Sequence, residues 1–486
     1  MDGLSLKLGE ICMVGIKKGR QPKGQRIPHI FVILFSFIFL MALFTYIIPA
    51  GIFDRVPVEG TSRMMIDPGS YHQVERTPVG LLKLFVAIPQ GFVEAGWVVV
   101  LTFCVGGAFV VVKKTGAIAL GVDNLARKMS KRGILIIPVL MTVFAVVDAF
   151  IGMPELCMVY VPIILPLMLV LGFDSITAAA TALIGSAAGF TAALTNPFTI
   201  AIAQKIAGLP LYSGINYRLI VLSVTLIVGI VFVMRYASKV RKDPLSSSMY
   251  DLDKPRRDIL LAAEAGESVK ATTRQKLAGI SAIGMFGILI FGVLKFKWDM
   301  PEIGGIFIAM AIVSGLIGGL TSKEICESFI DGCHDVLVGA LIVGIARGVA
   351  VVMVQGQIMD TIVFGLGNAV KAMPAAVTSV GMLVVQSLFN FLVPSGSGQT
   401  LITMPIMAPL ADIVGITRQT AVLALQFGDG VSNIFYPTSG YFMASLALAG
   451  VPWEKWAKFM LPLFGIWSLV GAVFLIIAQA IQWGPF

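Results

Sequence analysis

Charge is scarce in this sequence. Only 13% of its 486 residues are Asp, Glu, Lys or Arg, about half the share of a soluble domain. Histidine occurs three times, as His29, His72 and His334, too scattered for a catalytic set. The five cysteines (Cys12, Cys104, Cys157, Cys326, Cys333) show no CxxC or Cys/His spacing and include an odd one. Neither a disulfide framework nor a metal site is suggested. No Walker loop, nucleophile elbow or HExxH is present, so no enzyme class and no organic cofactor is indicated.

What is present is apolar. The chain is 57% hydrophobic with mean hydropathy +0.91. Runs near the roughly 20 residues needed to cross a bilayer recur throughout, which predicts an all-α polytopic membrane protein and not an outer-membrane barrel. The first run, "IFVILFSFIFLMALFTYIIPA" (30–50), follows a basic arm with Lys17, Lys18, Arg20, Lys23 and Arg26. It reads as an uncleaved span with a cytoplasmic N-terminus in the inner membrane. Lys and Arg also gather in "RKMSKR" (127–132) and between Arg235 and Lys276, so the net charge of +9 marks the cytoplasmic side and needs no nucleic acid. The polar segment 235–276 reads as a solvated connector between two hydrophobic halves.

Internal repetition is strong. "VPIILPLMLVLGFDSITAAATALIG" (161–185) matches "MPIMAPLADIVGITRQTAVLALQFG" (404–428), with Pro162 on Pro405, Pro166 on Pro409, Gly172 on Gly415, Thr177 on Thr420 and Gly185 on Gly428, each pair 243 residues apart. From 162 to 185, eight of 24 positions are identical, against about two expected by chance. Upstream, "NLARKM" (124–129) mirrors "NAVKAM" (368–373), and Asp148 falls on Asn390; downstream, "AGLP" (207–210) mirrors "AGVP" (449–452). The charge pattern predicts that the halves are inverted: an arm at 1–27, a first repeat at 28–236, a cytoplasmic linker at 237–276, a connecting span at 277–300 and a second repeat at 301–486, with the C-terminus outside.

Each half carries backbone breaks. "FLVPSGSGQT" (391–400) places small and polar residues between two apolar runs. Open backbone at membrane depth survives only if it is buried in protein or lines a wet cavity. The stretch therefore reads as the tip of a re-entrant hairpin, with "DAFIGMPELCMVYVPIILPLM" (148–168) as its counterpart. Each hairpin precedes a span interrupted by polar residues, "GSAAGFTAALTNPFTIAIA" (185–203) and "GDGVSNIFYPTSGYFMASLA" (428–447). Such breaks aim helix termini at a common point. The competing explanation is that these small residues only allow close helix packing.

Four ionisable residues lie away from the ends of apolar runs: Asp148, Glu155, Asp429 and Arg347. Charges at membrane depth cost a few kcal/mol or more, so they pair or face a functional cavity. Glu155 and Asp429, at a tip and a break, are read as binding or coupling residues. Asp148 is read either the same way or as a structural partner of Arg347, which could instead meet a substrate carboxylate. Lys205, Asp174 and Asp412 are read as solvated or snorkelling.

The "VPSGSGQ" tip, the paired "LTNPFT" and "NIFYPTSG" breaks and the Pro-rich hairpins resemble the YfcC/DcuC-like C4-dicarboxylate anaerobic carrier family of the ion transporter superfamily, from Ile27 to the C-terminus apart from the linker. The resemblance implies a homodimeric elevator carrier. Where sodium-coupled dicarboxylate members carry Ser-Asn-Thr tips, this chain has "MPEL" and "SGSGQT". Arginine/ornithine antiporters are among similar members, and three buried acids against one buried base suit a cationic amino acid. On this reading Ser395, Gly396, Ser397, Gln399 and Thr400 hold the α-carboxylate, and Glu155, Asn196, Asp429 and Asn433 meet the ammonium groups. Thr195, Ser432, Thr438 and Ser439 complete the site, while Asp148, Arg347 and Asn390 form a charge-pair or coupling set. The alternatives are a C4-dicarboxylate carrier coupled to sodium or protons and, more remotely, a channel.

Overall fold

A computed structural model describes residues 30–57, 64–118, 133–265, 272–296 and 298–484. The basic arm, the "RKMSKR" and "NLARKM" stretches and the last two residues lie outside the described residues. Eighteen α-helices are described, and seven are long and apolar enough to cross a membrane. Two short antiparallel ribbons, β1 (Gly51–Ile52) with β4 (His72–Gln73) and β2 (Arg55–Pro57) with β3 (Met64–Ile66), qualify the expected all-α class. They lie after the first helix, outside the apolar runs, where strand-forming residues need no bilayer match.

Helix α1 (Ile30–Ile47) precedes the ribbons; α2 (Leu81–Glu94) and α3 (Gly96–Lys114) meet at Ala95. Next come α4 (Ile136–Ile151), a short 3-10 turn at Pro154–Leu156, α5 (Cys157–Val170), α6 (Ser175–Ala192), α7 (Ile200–Ile206) and α8 (Ile215–Lys242). After α9 (Tyr250–Ala265) follow α10 (Thr273–Phe296), α11 (Met300–Ile317), α12 (Ser322–Gln355) and α13 (Met359–Lys371). The chain ends with α14 (Ala375–Leu392), α15 (Gly396–Val414), α16 (Arg418–Ser432), α17 (Gly440–Ala449) and α18 (Trp453–Ala480).

Local chemistry sets several starts. Asp299 with Glu302 and Thr321 with Glu324 form capping boxes for α11 and α12, so two orphan amides are satisfied at each start. Asp174, Ser395 and Thr417 cap α6, α15 and α16 through their side chains. Pro162 and Pro166 lie inside α5, and Pro405 and Pro409 inside α15, each removing one ladder hydrogen bond.

Two helix groups result. In one, α12 lies along α1, α2 and α3, with α11 beside α3 and α10 beside α11. Glycine allows that contact: a Cβ on Gly91 would strike the backbone of Gly344 and Gly348, and one on Gly332 would strike Gly106 and Gly107. Without a hydrophobic drive between helices in lipid, such close backbone approach supplies the packing energy. The other group joins α4, α5, α6, α8, α14, α15, α16 and α18. Here Gly185 and Gly189 let α6 press onto Met141 and Ala145 of α4. All eighteen residues of α6 are buried, as expected for a helix hydrophobic or small on every face. Helix α17 touches α12 on one side and α5 on the other.

The segment read as a solvated connector is docked along its described part. Helix α8 runs on to Lys242, and α9 packs on α5. Asp253 is buried and accepts from the Ser175 amide at 2.7 Å; Arg257 donates to the Phe173 carbonyl at 2.6 Å, and Arg256 to the Ala449 carbonyl at 3.0 Å. Asp174 is correspondingly not solvated: it is 1% exposed and accepts from Tyr236 and Ser247 at 2.7 and 2.5 Å. Polar composition cannot distinguish a helix in water from one whose charges meet helix ends. Lys205 is exposed, and Asp412 forms a surface pair with Arg418 at 2.6 Å.

Candidate functional site at the helix breaks

The chain leaves helical geometry at four places that converge. Between α4 and α5, Gly152 takes a left-handed conformation (φ 69°), and a Cβ there would collide with the Asn196 side chain. Between α6 and α7, Ala193 is also left-handed (φ 45°), an uncommon state for a residue with a Cβ. Thr195 ties that break to the end of α4, its amide donating to the Ala149 carbonyl and its hydroxyl to the Phe150 carbonyl, both at 3.1 Å. Asn196 Oδ1 accepts from the amides of Phe198 and Thr199.

The second pair of breaks meets the first. A Cβ on Gly396, at the start of α15, would lie 2.7 Å from Asp429 Oδ2 and 2.7 Å from Thr199 Cγ2. A Cβ on Gly430 would press on Thr191. The tip between α14 and α15, the break between α6 and α7, and the end of α16 therefore share one point. Asn390 knits the end of α16, donating to Ser432 Oγ at 2.6 Å and Asn433 Oδ1 at 3.2 Å.

Within this centre many buried polar atoms have no described hydrogen-bond partner. They include both carboxylate oxygens of Asp148, Oδ2 of Asp429, Nδ2 of Asn196, Oδ1 of Asn390 and the hydroxyls of Thr191, Thr199, Thr438 and Ser439. Buried polar groups are ordinarily satisfied, so such a concentration marks a place built to meet something else. Asp429 Oδ1 accepts from Asn433 at 2.5 Å. Glu155 is half-buried in the short 3-10 turn Pro154–Leu156 that follows the Gly152 break.

Other predicted site residues are differently occupied. Thr400 donates to the Gly396 carbonyl of its own helix at 2.7 Å, and Ser395 Oγ accepts from the Gly398 amide at 3.3 Å. Gln399 Nε2 bonds Gln386, and Gln386 bonds Thr403, stitching α14 to α15. Ser397 is half-buried at the first turn of α15, where helix N-termini favour anions.

Arg347 corrects one expectation. It pairs with Glu94 of α2 at 2.8 Å and not with Asp148. Hydropathy reports how deep a residue lies along a span, not which neighbour it faces, so Asp148 and Arg347 could share a depth on separate helix groups. The buried base is instead Arg218, fully enclosed near the start of α8, donating to the Ala192 carbonyl at 3.3 Å and lying 5.7 Å from the Trp483 ring. Arg218 had escaped because it directly precedes the apolar run 219–234. Gln426, which donates to the Phe190 carbonyl at 2.5 Å, carries no charge to draw attention.

The C4-dicarboxylate anaerobic carrier (DcuC) family matches residues 27–480. An Escherichia coli (strain K12) protein named "Putative basic amino acid antiporter YfcC" is 34% identical, over 96% of this chain and 99% of its own. An uncharacterised Haemophilus influenzae protein is 28% identical, over 94% and 98%. Among solved structures, Neisseria gonorrhoeae MtrF, described within a class of antimetabolite efflux pumps, is similar at TM-score 0.43 and 17% identity, covering 94% of this chain and 96% of that one. Alcanivorax borkumensis YdaH, described as a transporter of unusual topology, is similar at TM-score 0.40 and 18% identity, covering 94% and 100%. With its membrane-spanning helices and near-complete family match, the chain is a multi-pass membrane transporter of the DcuC family.

Proposed function

We propose that this protein exchanges basic amino acids, arginine against ornithine, across the cytoplasmic membrane. The observation that carries the reading is the charge of the centre. Asp148 and Asp429 are buried there with unpartnered carboxylate oxygens and Glu155 stands at the turn after α4, while Arg347 pairs with Glu94 and Arg218 makes one described hydrogen bond, to the Ala192 carbonyl, its Nε and Nη2 having no described partner. Carboxylates left without a counter-charge at membrane depth are costly, and a ligand bearing a cationic side chain and an α-ammonium offsets that cost. Its α-carboxylate would meet the first turn of α15 around Gly396 and Ser397. The name of the Escherichia coli relative supports the same substrate class.

The mechanism belongs to the same proposal. The two halves act as inverted repeats, with α4–α5 and α14–α15 as re-entrant hairpins and α6–α7 and α16–α17 as broken spans. The group containing both hairpins slides as an elevator against the α1–α3, α10–α12 group, which holds a homodimer. Basic ends place the linker and N-terminus in the cytoplasm and the C-terminus outside. Strict exchange follows because the empty, negative centre crosses the bilayer poorly. The second reading, a C4-dicarboxylate carrier using sodium or protons, is favoured by the family's description and by the anion-attracting start of α15.

Counterflow in liposomes separates them. Labelled arginine should enter only vesicles loaded with ornithine, with no dependence on a sodium or proton gradient. Gradient-driven uptake of labelled succinate, with no response to arginine, would overturn the exchange reading.

A further inference from the structure

The amides at the start of α15 are not all used. Ser395 takes two of them, its Oγ accepting from the Gly398 amide at 3.3 Å and its carbonyl from the Gln399 amide at 2.7 Å. The amides of Gly396 and Ser397 have no described partner, and a first turn has no earlier carbonyl of its own helix to supply one. Against this turn stands Asp429, fully buried, with Oδ2 unpartnered and 2.7 Å from the place of a Cβ on Gly396. Unused donors and an unused carboxylate oxygen are thus neighbours across a single residue.

Phe190 closes the same point. Its Cζ lies 3.3 Å from that Cβ position, and Thr199 Cγ2 2.7 Å from it. The Phe190 carbonyl accepts from Gln426 at 2.5 Å, one turn before Asp429 on α16, so Phe190 is held by the helix face that carries the carboxylate. Phe190 is 3% exposed, and its ring brings no donor to Oδ2. An anion alone at this first turn would face Asp429, and a small cation alone at Asp429 would face the positive end of α15. A ligand carrying both charges on one carbon meets both.

We infer that Asp429 and the first turn of α15 form a clamp for the head of an α-amino acid, with Phe190 as its specificity-determining wall. The α-ammonium sits on Asp429 Oδ2 and the α-carboxylate on the amides of Gly396 and Ser397. In an extended ligand the side-chain cation stands beyond the methylenes, too far from the carboxylate to share the clamp, so it falls to the first half. There Asp148 keeps both oxygens unpartnered near the end of α4, which Thr195 ties to the first break. Phenylalanine at position 190 matters because a tyrosine hydroxyl on Cζ would donate to Oδ2 and take the ammonium's place. The clamp rests on the basic amino-acid reading above and adds which acid meets which cation.

The test is competition of citrulline, which has arginine's head and a neutral side chain, against labelled arginine bound to the full chain in nanodiscs, alongside arginine–ornithine counterflow in liposomes. Phe190→Tyr should weaken arginine and citrulline alike, each about tenfold, as expected when one charge-assisted contact is displaced. Phe190→Leu, which adds no hydroxyl, should weaken both only about twofold; a loss equal to that in Phe190→Tyr would overturn the wall. Asp148→Asn should weaken arginine about tenfold and citrulline hardly at all, so the preference for arginine over citrulline falls by the same factor. Loss confined to arginine in Phe190→Tyr would put the side-chain cation at Asp429 and overturn the clamp, as would unchanged binding of both ligands. If Phe190→Tyr fails to fold, Asp148→Asn decides, equal losses of both ligands overturning the assignment. Absence of arginine exchange by wild type in the counterflow would instead overturn the function, and the clamp with it.

Discussion

At the first helix break, the carbonyls ending α6 meet a guanidinium and a primary amide: Arg218 on Ala192 and Gln426 on Phe190. At the second, the carbonyls just beyond α16 meet two indoles, Trp456 on Ile434 at 2.8 Å and Trp453 on Phe435 at 3.1 Å. Both solve the same problem, since a helix ending inside a membrane leaves carbonyls that lipid cannot satisfy. They solve it with different charge. The acids are rearranged too: Asp148 on α4 corresponds by spacing to Asn390 on α14, while Asp429 on α16 corresponds to Ser186 on α6. The first half thus contributes Asp148 on α4 and Glu155 at the following turn, and the second half Asp429 on α16. A repeated sequence pattern can therefore carry an asymmetric electrostatic site.

The sharpest way to break this comparison is to neutralise the two acids separately. Asp429 has one bound and one unpartnered oxygen against the Gly396 tip, so Asp429→Asn should weaken arginine binding roughly 100-fold, within the cost of removing one partner from a buried charge pair. Asp148 lies near the end of α4, and Asp148→Asn should weaken it about tenfold. Isothermal titration in nanodiscs measures both; equal losses would mean that the two carboxylates act as one site.

A second comparison concerns the caps. Arg218→Gln removes a buried cation from a helix C-terminus and should lower stability by about 2 kcal/mol. Trp456→Phe removes one neutral hydrogen bond and should lower it by about 1 kcal/mol. Chemical unfolding in detergent ranks them, and the reverse order would show that the buried charge is a burden at the first break. Smallest of all should be the effect of the linker. Arg256 and Arg418 donate to the matching carbonyls Ala449 and Ala207 at 3.0 and 2.8 Å. Arg256→Gln should speed proteolytic cutting in the linker about threefold, consistent with loss of roughly 0.5–1 kcal/mol of docking. Arg418→Gln should leave that cutting unchanged; equal acceleration would mean that both ends loosen together.

Much of the arrangement was legible in residue order. Proline and glycine disrupt helices locally, so Gly152, Pro154, Pro394 and Gly396 announced the two tips, and Asn196 and Asn433 the two breaks, without knowledge of any neighbour. Partnerships were less legible. Thr195, Thr400 and Gln399 carry the right polar groups for a site, yet they bond to their own local backbone or to the adjoining helix. Arg218 and Glu94 sit at positions that look like the margins of apolar runs, and their surroundings come from helices far away in the chain.

From the sequence alone it follows that this chain lives in a membrane, that its helices break in two corresponding pairs of places, and that acids lie near those breaks. Those properties depend on side-chain transfer energies and local backbone geometry, which each residue brings with it. Only the tertiary structure decided that Arg347 faces Glu94, that Arg218 closes the first break, that the linker caps helix ends and that Gly396 rests on Asp429. These depend on which face of one helix meets which face of another, and the close contacts of glycines such as Gly91, Gly189 and Gly332 set that choice.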